Sequence, residues 1–147
     1  IIKYKPKFFI ISDKFVFKKV KNKFKKRRTK IFNEFQDADH YIFSVPMWNF
    51  SIPYKLKHYI DIVTQPGLSW SYTPEDGYSG LMGGKEATVV YASGDGYGEG
   101  TGFESYDLQK PYMTLWLTFI GFTKIESLIA DRTLFEPEES EKRALKN

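Results

Sequence analysis

The 147 residues contain no cysteine. That excludes a disulfide scaffold, a thiolate nucleophile and every zinc site built on Cys ligands. Histidine is almost as scarce: His40 and His58 are the only two, and neither stands at metal-ligand spacing from other ligands. Both read as surface or packing residues. No Ser-His-acid set, close carboxylate pair or internal repeat is visible. The longest apolar stretch, Pro111 to Phe122, is broken by threonine and falls short of the ~20 residues that cross a bilayer. No signal peptide is visible, which favours a cytoplasmic location.

What is present suits one folded domain. Hydrophobic residues make up 41% and charged residues 27%, while the aromatic share is 18%, dominated by 13 Phe and 10 Tyr. Aromatics in this number fill a core first, and the remainder line flat ligands or subunit interfaces. The net charge of +4 conceals two opposite parts. Residues 1–30 carry 13 Lys and Arg against Asp13 alone, whereas 31–147 carry 9 bases and 17 acids. We therefore divide the chain into a basic N-terminal segment, 1–30, and a domain, 31–147. The basic run "KKVKNKFKKRRTK" is read as a solvated face or tail, with contact to an anionic partner as the alternative. Nothing else resembles a nucleic-acid module, and a nucleic-acid partner is not expected.

Along the domain, strand and helix patterns alternate. Residues 7–12 suit a strand and the basic stretch after them a helix; Ile31, Phe32 and Phe35 form a short helical stripe ending near Asp37 to Asp39. "YIFSV" at 41–45 reads as a buried strand. Ser51 is the expected N-cap of a helix carrying Leu56, Tyr59, Ile60 and Val63 on one face, with Pro53 in its first turn. The connection 64–86 is rich in Gly, Pro, Ser and aromatics and reads as a lid or linker. "ATVVYA" at 87–92 is a second strand. A helix is expected from about Glu104 to Gly121, a third strand at 124–130 and a polar helix at 136–146. This order implies an α/β fold with an open, mostly parallel sheet.

In such sheets ligands bind beyond the carboxyl ends of the strands. Two unusual loops follow strands directly, 46–51 and 93–102, so both should lie on one edge and form one site. The first offers Met47, Trp48, Asn49 and Phe50. The second has five glycines in ten residues, which frees backbone N–H groups for close approach. Stacking surface and backbone donors without an acid or base suit a cofactor that brings its own reactivity, and a flavin ring fits that description.

The stretch "PMWNFSIPYKLKHYID" resembles the flavin-binding motif of the flavodoxin-like NAD(P)H:quinone oxidoreductases and FMN-dependent azoreductases. The likeness continues through "GLSWSYTPEDGYSGLMGGKEATVV", the Ser-Gly loop and "PYMTLWLTFIGF", covering roughly residues 31–135. The resemblance implies a flavodoxin-like sheet flanked by helices, with FMN as cofactor and NADH or NADPH as electron donor. It further implies ping-pong delivery of electrons to a quinone or azo compound, and a homodimer with sites at the interface. It assigns cofactor binding to Pro46, Met47, Trp48, Asn49 and Phe50, and to Ser93, Gly94, Asp95 and Gly96. No catalytic residue and no metal are assigned. Two departures stand out. Asp95 occupies a loop that often reads Ser-Arg-Gly-Gly in the family, and its side chain is expected to point away from the flavin. Nothing in residues 1–30 matches the family's first strand and Ser-rich phosphate loop, so these are expected to be missing or divergent. The alternative is a non-catalytic flavodoxin-like fragment or binding module whose basic arm contacts an anionic partner.

Overall fold

The computed structural model describes residues 26–144. The strand expected at 7–12 lies outside them, as does the basic stretch up to residue 25. Residues 26–36 form helix α1, which turns Phe32 and Phe35 inward, three residues apart on one face. Next come β1 (His40–Pro46), α2 (Tyr54–Val63), β2 (Trp70–Thr73), β3 (Gly77–Gly80), β4 (Glu86–Ala92), α3 (Lys110–Ile120), β5 (Lys124–Ala130) and α4 (Pro137–Ala144).

β1, β4 and β5 make a three-stranded parallel sheet in the order β1-β4-β5. The register sets Tyr41 opposite Ala87 and Ile125, and Val45 opposite Tyr91 and Ile129. Tyr41, Val45, Ala87, Val89 and Tyr91, alternate residues on one face, are buried with Met113, Trp116, Leu117 and Ile120 of α3. The same two-residue period sends Ile42 to the opposite face, where it is 75% exposed. Phe35 is the hub of the core: its ring lies 4.9 Å from Tyr41, 6.1 Å from Tyr59 and Trp116, and 6.4 Å from Phe32 and Phe122. Core filling accounts for only part of the aromatic content: among the described residues, Trp48, Phe50, Tyr54, Tyr72, Tyr78, Phe103, Tyr106 and Phe135 are exposed.

Three expectations need correction. Ser51 does not cap α2. It is held in a bridge with Trp48, and Pro53 takes the N-cap position with φ −59° and no side-chain cap bond. The helix expected from Glu104 begins only at Lys110, after a single 3-10 turn at Glu104–Tyr106. Asp107 causes the delay, because its Oδ1 accepts from the backbone N–H groups of Gln109 and Lys110 at 2.9 and 3.0 Å, a cap that fixes the start. Leu108, which precedes the helix, and Leu115 within it are both exposed. Gly121 does end the helix, with φ 103° and its N–H directed to Leu117 and Thr118.

The connection 64–86 is not a bare loop. β2 and β3 form an antiparallel hairpin around Pro74, Glu75 and Asp76, with Asp76 N–H donating to Thr73 Oγ1 at 3.0 Å. Trp70 and Tyr78 pack on Phe119 of α3 at 5.7 and 5.9 Å. The hairpin's last residue, Gly80, meets Gly121 backbone to backbone: a Cβ on Gly80 would come within 2.4 Å of Gly121 N. Only glycine permits that approach.

Buried polar groups in the core are mostly paired. Gln109 Nε2 donates to Val45 O at 2.7 Å, and Trp116 Nε1 donates to Thr64 Oγ1 at 2.8 Å. Tyr91 and Ser140 are the exceptions, their buried hydroxyls having no hydrogen-bond partner among the described residues. Burial, more than any neighbour, pushes the hydroxyls of Tyr41 and Tyr91 up to about 12. A raised folded-state value keeps its stabilisation below the unfolded value near 10 and loses it as pH climbs toward 12. Tyr91→Phe should therefore be neutral or slightly stabilising at pH 8. At pH 11 the variant should outlast the wild type by about 1 kcal/mol in urea unfolding. Equal losses of stability between pH 8 and 11 in both proteins would refute the assignment.

Candidate functional site

The loops after β1, β4 and β5 all emerge at the same edge of the sheet, because the strands are parallel. After β1, Met47 N–H still pairs with Ala92 O at 2.7 Å, so the chain leaves the sheet only at Trp48. It then reverses over four residues: Trp48 N–H donates to Ser51 O at 2.8 Å, and Ser51 N–H donates to Trp48 O at 3.1 Å. The two central residues have positive φ, 49° at Asn49 and 70° at Phe50. Positive φ at both centres is the mark of a type I′ turn, which normally carries Asn-Gly. Asn49 suits its place, but a phenylalanine with φ 70° costs about 1–2 kcal/mol. Strain of that kind is retained where a side chain is needed in a fixed direction.

After β4, the loop 93–96 is fastened to the segment that follows β5. Arg132, Thr133 and Leu134 donate their backbone N–H groups to the carbonyls of Asp95, Ser93 and Gly94 at 3.4, 3.1 and 3.1 Å. Thr133 Oγ1 adds a 2.9 Å bond to Ser93 O. Arg132 itself has φ 54°, and its side chain lies directly over Gly96, where any Cβ would meet Nε at 2.7 Å. Glu136 anchors that guanidinium at 3.3 Å and also receives Arg143 at 3.1 Å; these two arginines, Arg143 first, hold its carboxyl below the usual range. Of the loop's own amides, Ser93 N–H donates to Ala130 O at 3.1 Å and Gly96 N–H to Asp95 Oδ1 at 2.7 Å. Gly94 N–H and Asp95 N–H have no intrachain partner among the described residues, and the same is true of Asn49 N–H and Phe50 N–H.

Between these segments lies an open cleft of about 380 Å³, lined by Met47, Asn49, Phe50, Gly94, Asp95, Tyr97, Leu134 and Phe135. Five of the nine residues singled out from sequence therefore share one cleft. The other four are placed around it. Ser93 joins Met47 in a neighbouring cleft of about 210 Å³ that also includes Asp107, Lys110 and Asp131. Trp48 borders a third cleft with Asn49, Tyr54, Lys57 and Tyr112. Pro46 ends β1 opposite Ala92, and Gly96 sits buried beneath Arg132. Asp95 is exposed and lines the cleft, yet its Oδ1 is turned back to accept from Gly96 N–H at 2.7 Å.

Tyr97, Leu134 and Phe135 were not singled out from sequence. Tyr97 packs edge-on against Phe50 at 6.2 Å. A signal for the other two did exist. The rule that placed loops 46–51 and 93–102 at the strand ends applies equally after the third strand, but that loop has no glycine cluster to draw attention. Beyond Phe50, the row continues to Tyr106 at 5.4 Å and Phe103 at 6.0 Å from Tyr106. Glu104 secures this stretch by accepting from Gly100 N–H and Gly102 N–H at 2.7 and 3.3 Å.

The arrangement fits a flat, amphipathic ring. It has a thioether and aromatic surface for the faces, and unpaired backbone donors for an acceptor-bearing edge. Among the described residues no group of acids and histidines could hold a metal ion, and no helix is long and apolar enough to cross a membrane.

Comparison with known proteins places the chain among its relatives. An FMN-dependent NADH:quinone oxidoreductase of Desulfotalea psychrophila is 58% identical over 104 residues, 71% of this chain and 49% of that protein. A relative of the same description from Nitratidesulfovibrio vulgaris is 50% identical over 101 residues, 69% of this chain and 48% of its own. The chain thus spans about half the length of the curated relatives it matches. Among solved structures, an FMN-dependent NADH-azoreductase from Bacillus anthracis in complex with FMN superposes with a TM-score of 0.78 at 28% identity, covering 86% of this chain and 60% of the other. The family model described as a flavodoxin-like fold matches residues 9–147, and the chain belongs to that family.

Proposed function

We propose that this chain provides the flavin-ring site of an FMN-dependent oxidoreductase that takes electrons from NADH or NADPH and gives them to quinones or azo compounds. One observation carries the reading: four unpaired backbone amides, at Asn49, Phe50, Gly94 and Asp95, surround a single cleft walled by Met47 and Phe50. The names of the relatives point the same way. When bound, FMN supplies the two-electron chemistry, hydride acceptance from the nicotinamide and onward delivery to the acceptor, in ping-pong order.

The residues of the chain do the rest. Phe50 and Met47 present apolar surface to a ring face and exclude water from it. The amides of Gly94 and Asp95 supply hydrogen-bond donors where negative charge gathers on a reduced ring, and they are oriented before any ligand arrives. Asp95 keeps its carboxylate occupied by Gly96 N–H, which limits its opposition to that charge. Pro46 and Ser93 support the same walls from the strand ends, Trp48 from the third cleft, and Gly96 from beneath Arg132. In this reading the protein works in the cytoplasm, where reduced nicotinamides are regenerated. It acts as a homodimer, which would cover the exposed Tyr72 and Tyr78 of the hairpin.

Titration of the purified chain with FMN tests the proposal. We expect quenched flavin fluorescence and a shifted absorption band, followed by NADH oxidation when 1,4-benzoquinone is added. A spectrum that remains that of free flavin would leave a non-catalytic flavodoxin-like module as the better description.

A further inference from the structure

We propose that Leu134 and Phe135 form an acceptor-selective wall, which recognises the hydrocarbon part of a quinone, a fused ring or alkyl chain, beside the bound flavin. The inference rests on the flavin reading above and adds to it the class of acceptor.

The two residues are adjacent, 75% and 67% exposed, and both line the cleft that holds Phe50 and the free amides. Large apolar side chains left in water forgo about 1.5–3 kcal/mol each relative to burial. Here the backbone keeps them out. Phe135 N–H and Glu136 N–H both return to Arg132 O, at 3.1 and 2.8 Å, which closes a tight turn. Arg132 holds positive φ to start that turn, and Thr133 and Leu134 are tied to the neighbouring loop. A strained, doubly fastened turn that aims two apolar groups into a cleft is the signature of a ligand contact.

The chemistry of the wall narrows the ligand. Leu134 N–H is used by Gly94 O and Phe135 N–H by Arg132 O, so this side offers no donor. The four unpaired amides lie elsewhere around the cleft, two at the turn after β1 and two in the loop to which Leu134 is fastened. The cleft therefore sorts its contents: hydrogen-bond acceptors at 49–50 and 94–95, hydrocarbon at 134–135. With the flavin edge on the amides, the wall faces the molecule that lies alongside the ring. A quinone with a fused benzene ring would gain contact there, and a bare benzoquinone would reach it little.

The test is the double variant Leu134→Ala/Phe135→Ala in the full chain, compared with wild type by FMN fluorescence titration and by steady-state kinetics with menadione and with 1,4-benzoquinone. Both side chains are exposed, so folding should change by no more than about 0.5 kcal/mol. We expect the FMN dissociation constant to stay within about twofold. KM for menadione should rise about tenfold with kcat kept, while KM for benzoquinone moves less than about threefold. Equal KM changes for the two quinones would overturn the inference and leave the flavin site intact. So would a loss of FMN affinity in step with the kinetics, because the wall would then belong to the cofactor. A wild-type chain that leaves the FMN spectrum unchanged would overturn the flavin reading and this inference together.

Discussion

Gly80→Ala should be among the most damaging single substitutions in this chain. The added methyl would stand 2.4 Å from Gly121 N and from Ile120 C, and 2.5 Å from Gly121 Cα. These are backbone atoms at a helix end, so no rotamer change relieves the clash. Overpacking of a tight contact costs about 1–3 kcal/mol and more when backbone must move. Here the shift would also pull on Met82 N–H, which donates to Ile120 O at 2.8 Å, and on the aromatic contact between the hairpin and Phe119. We expect a loss of at least ~3 kcal/mol, which lowers Tm on the order of 10 °C for a domain of this size. Gly83→Ala is the control, since a Cβ there meets nothing within 4 Å. If both variants melt together with wild type, the close approach of β3 to α3 is misdescribed.

Phe50→Gly should separate binding from folding. Glycine relieves the strain of φ 70°, worth about 1–2 kcal/mol. Against that stand the half-exposed ring, worth about 1 kcal/mol of burial, and the extra freedom of glycine in the unfolded chain, about 0.5–1 kcal/mol. The contributions nearly cancel, and urea unfolding should move by less than about 1 kcal/mol. Affinity for FMN should nevertheless fall about tenfold or more, because the ring that walls the cleft is gone. An unchanged FMN titration curve would remove Phe50 from the site.

The parallel strands were legible from the chain alone because they are buried on at least one face and read as short β-branched runs bounded by turn residues. Val89, Val90 and Tyr91 could hardly belong to anything else. The hairpin at 70–80 was not read, since Trp70 to Gly80 mixes glycine, serine and aromatics without clear alternation; its pairing is fixed by Pro74 to Gly77 and by docking on Phe119. The start of α3 was misjudged because Leu108 falls in helical phase by accident, which obscured the local Asp107 cap, two and three residues before Gln109 and Lys110, that sets the boundary. At the site, composition drew attention to the aromatic turn and the glycine loop. It could not reveal that Trp48 and Phe50 border different clefts, since the chain between them reverses through positive φ at Asn49 and Phe50. Leu134 and Phe135 look like ordinary loop residues until the sheet brings three strand ends together.

The fastening of 93–95 to 132–134 bears on how the sequence can change over time. Three successive carbonyls accept from three successive residues of the other segment, so neither segment can gain or lose a residue without breaking that correspondence and turning the amides of Gly94 and Asp95 out of line. The stretch from Gly98 to Phe103 is under no such constraint, held chiefly by its own turns and by Glu104. Insertions and deletions among descendants of this chain should accumulate there, at the rim of the cleft, and pass over its floor.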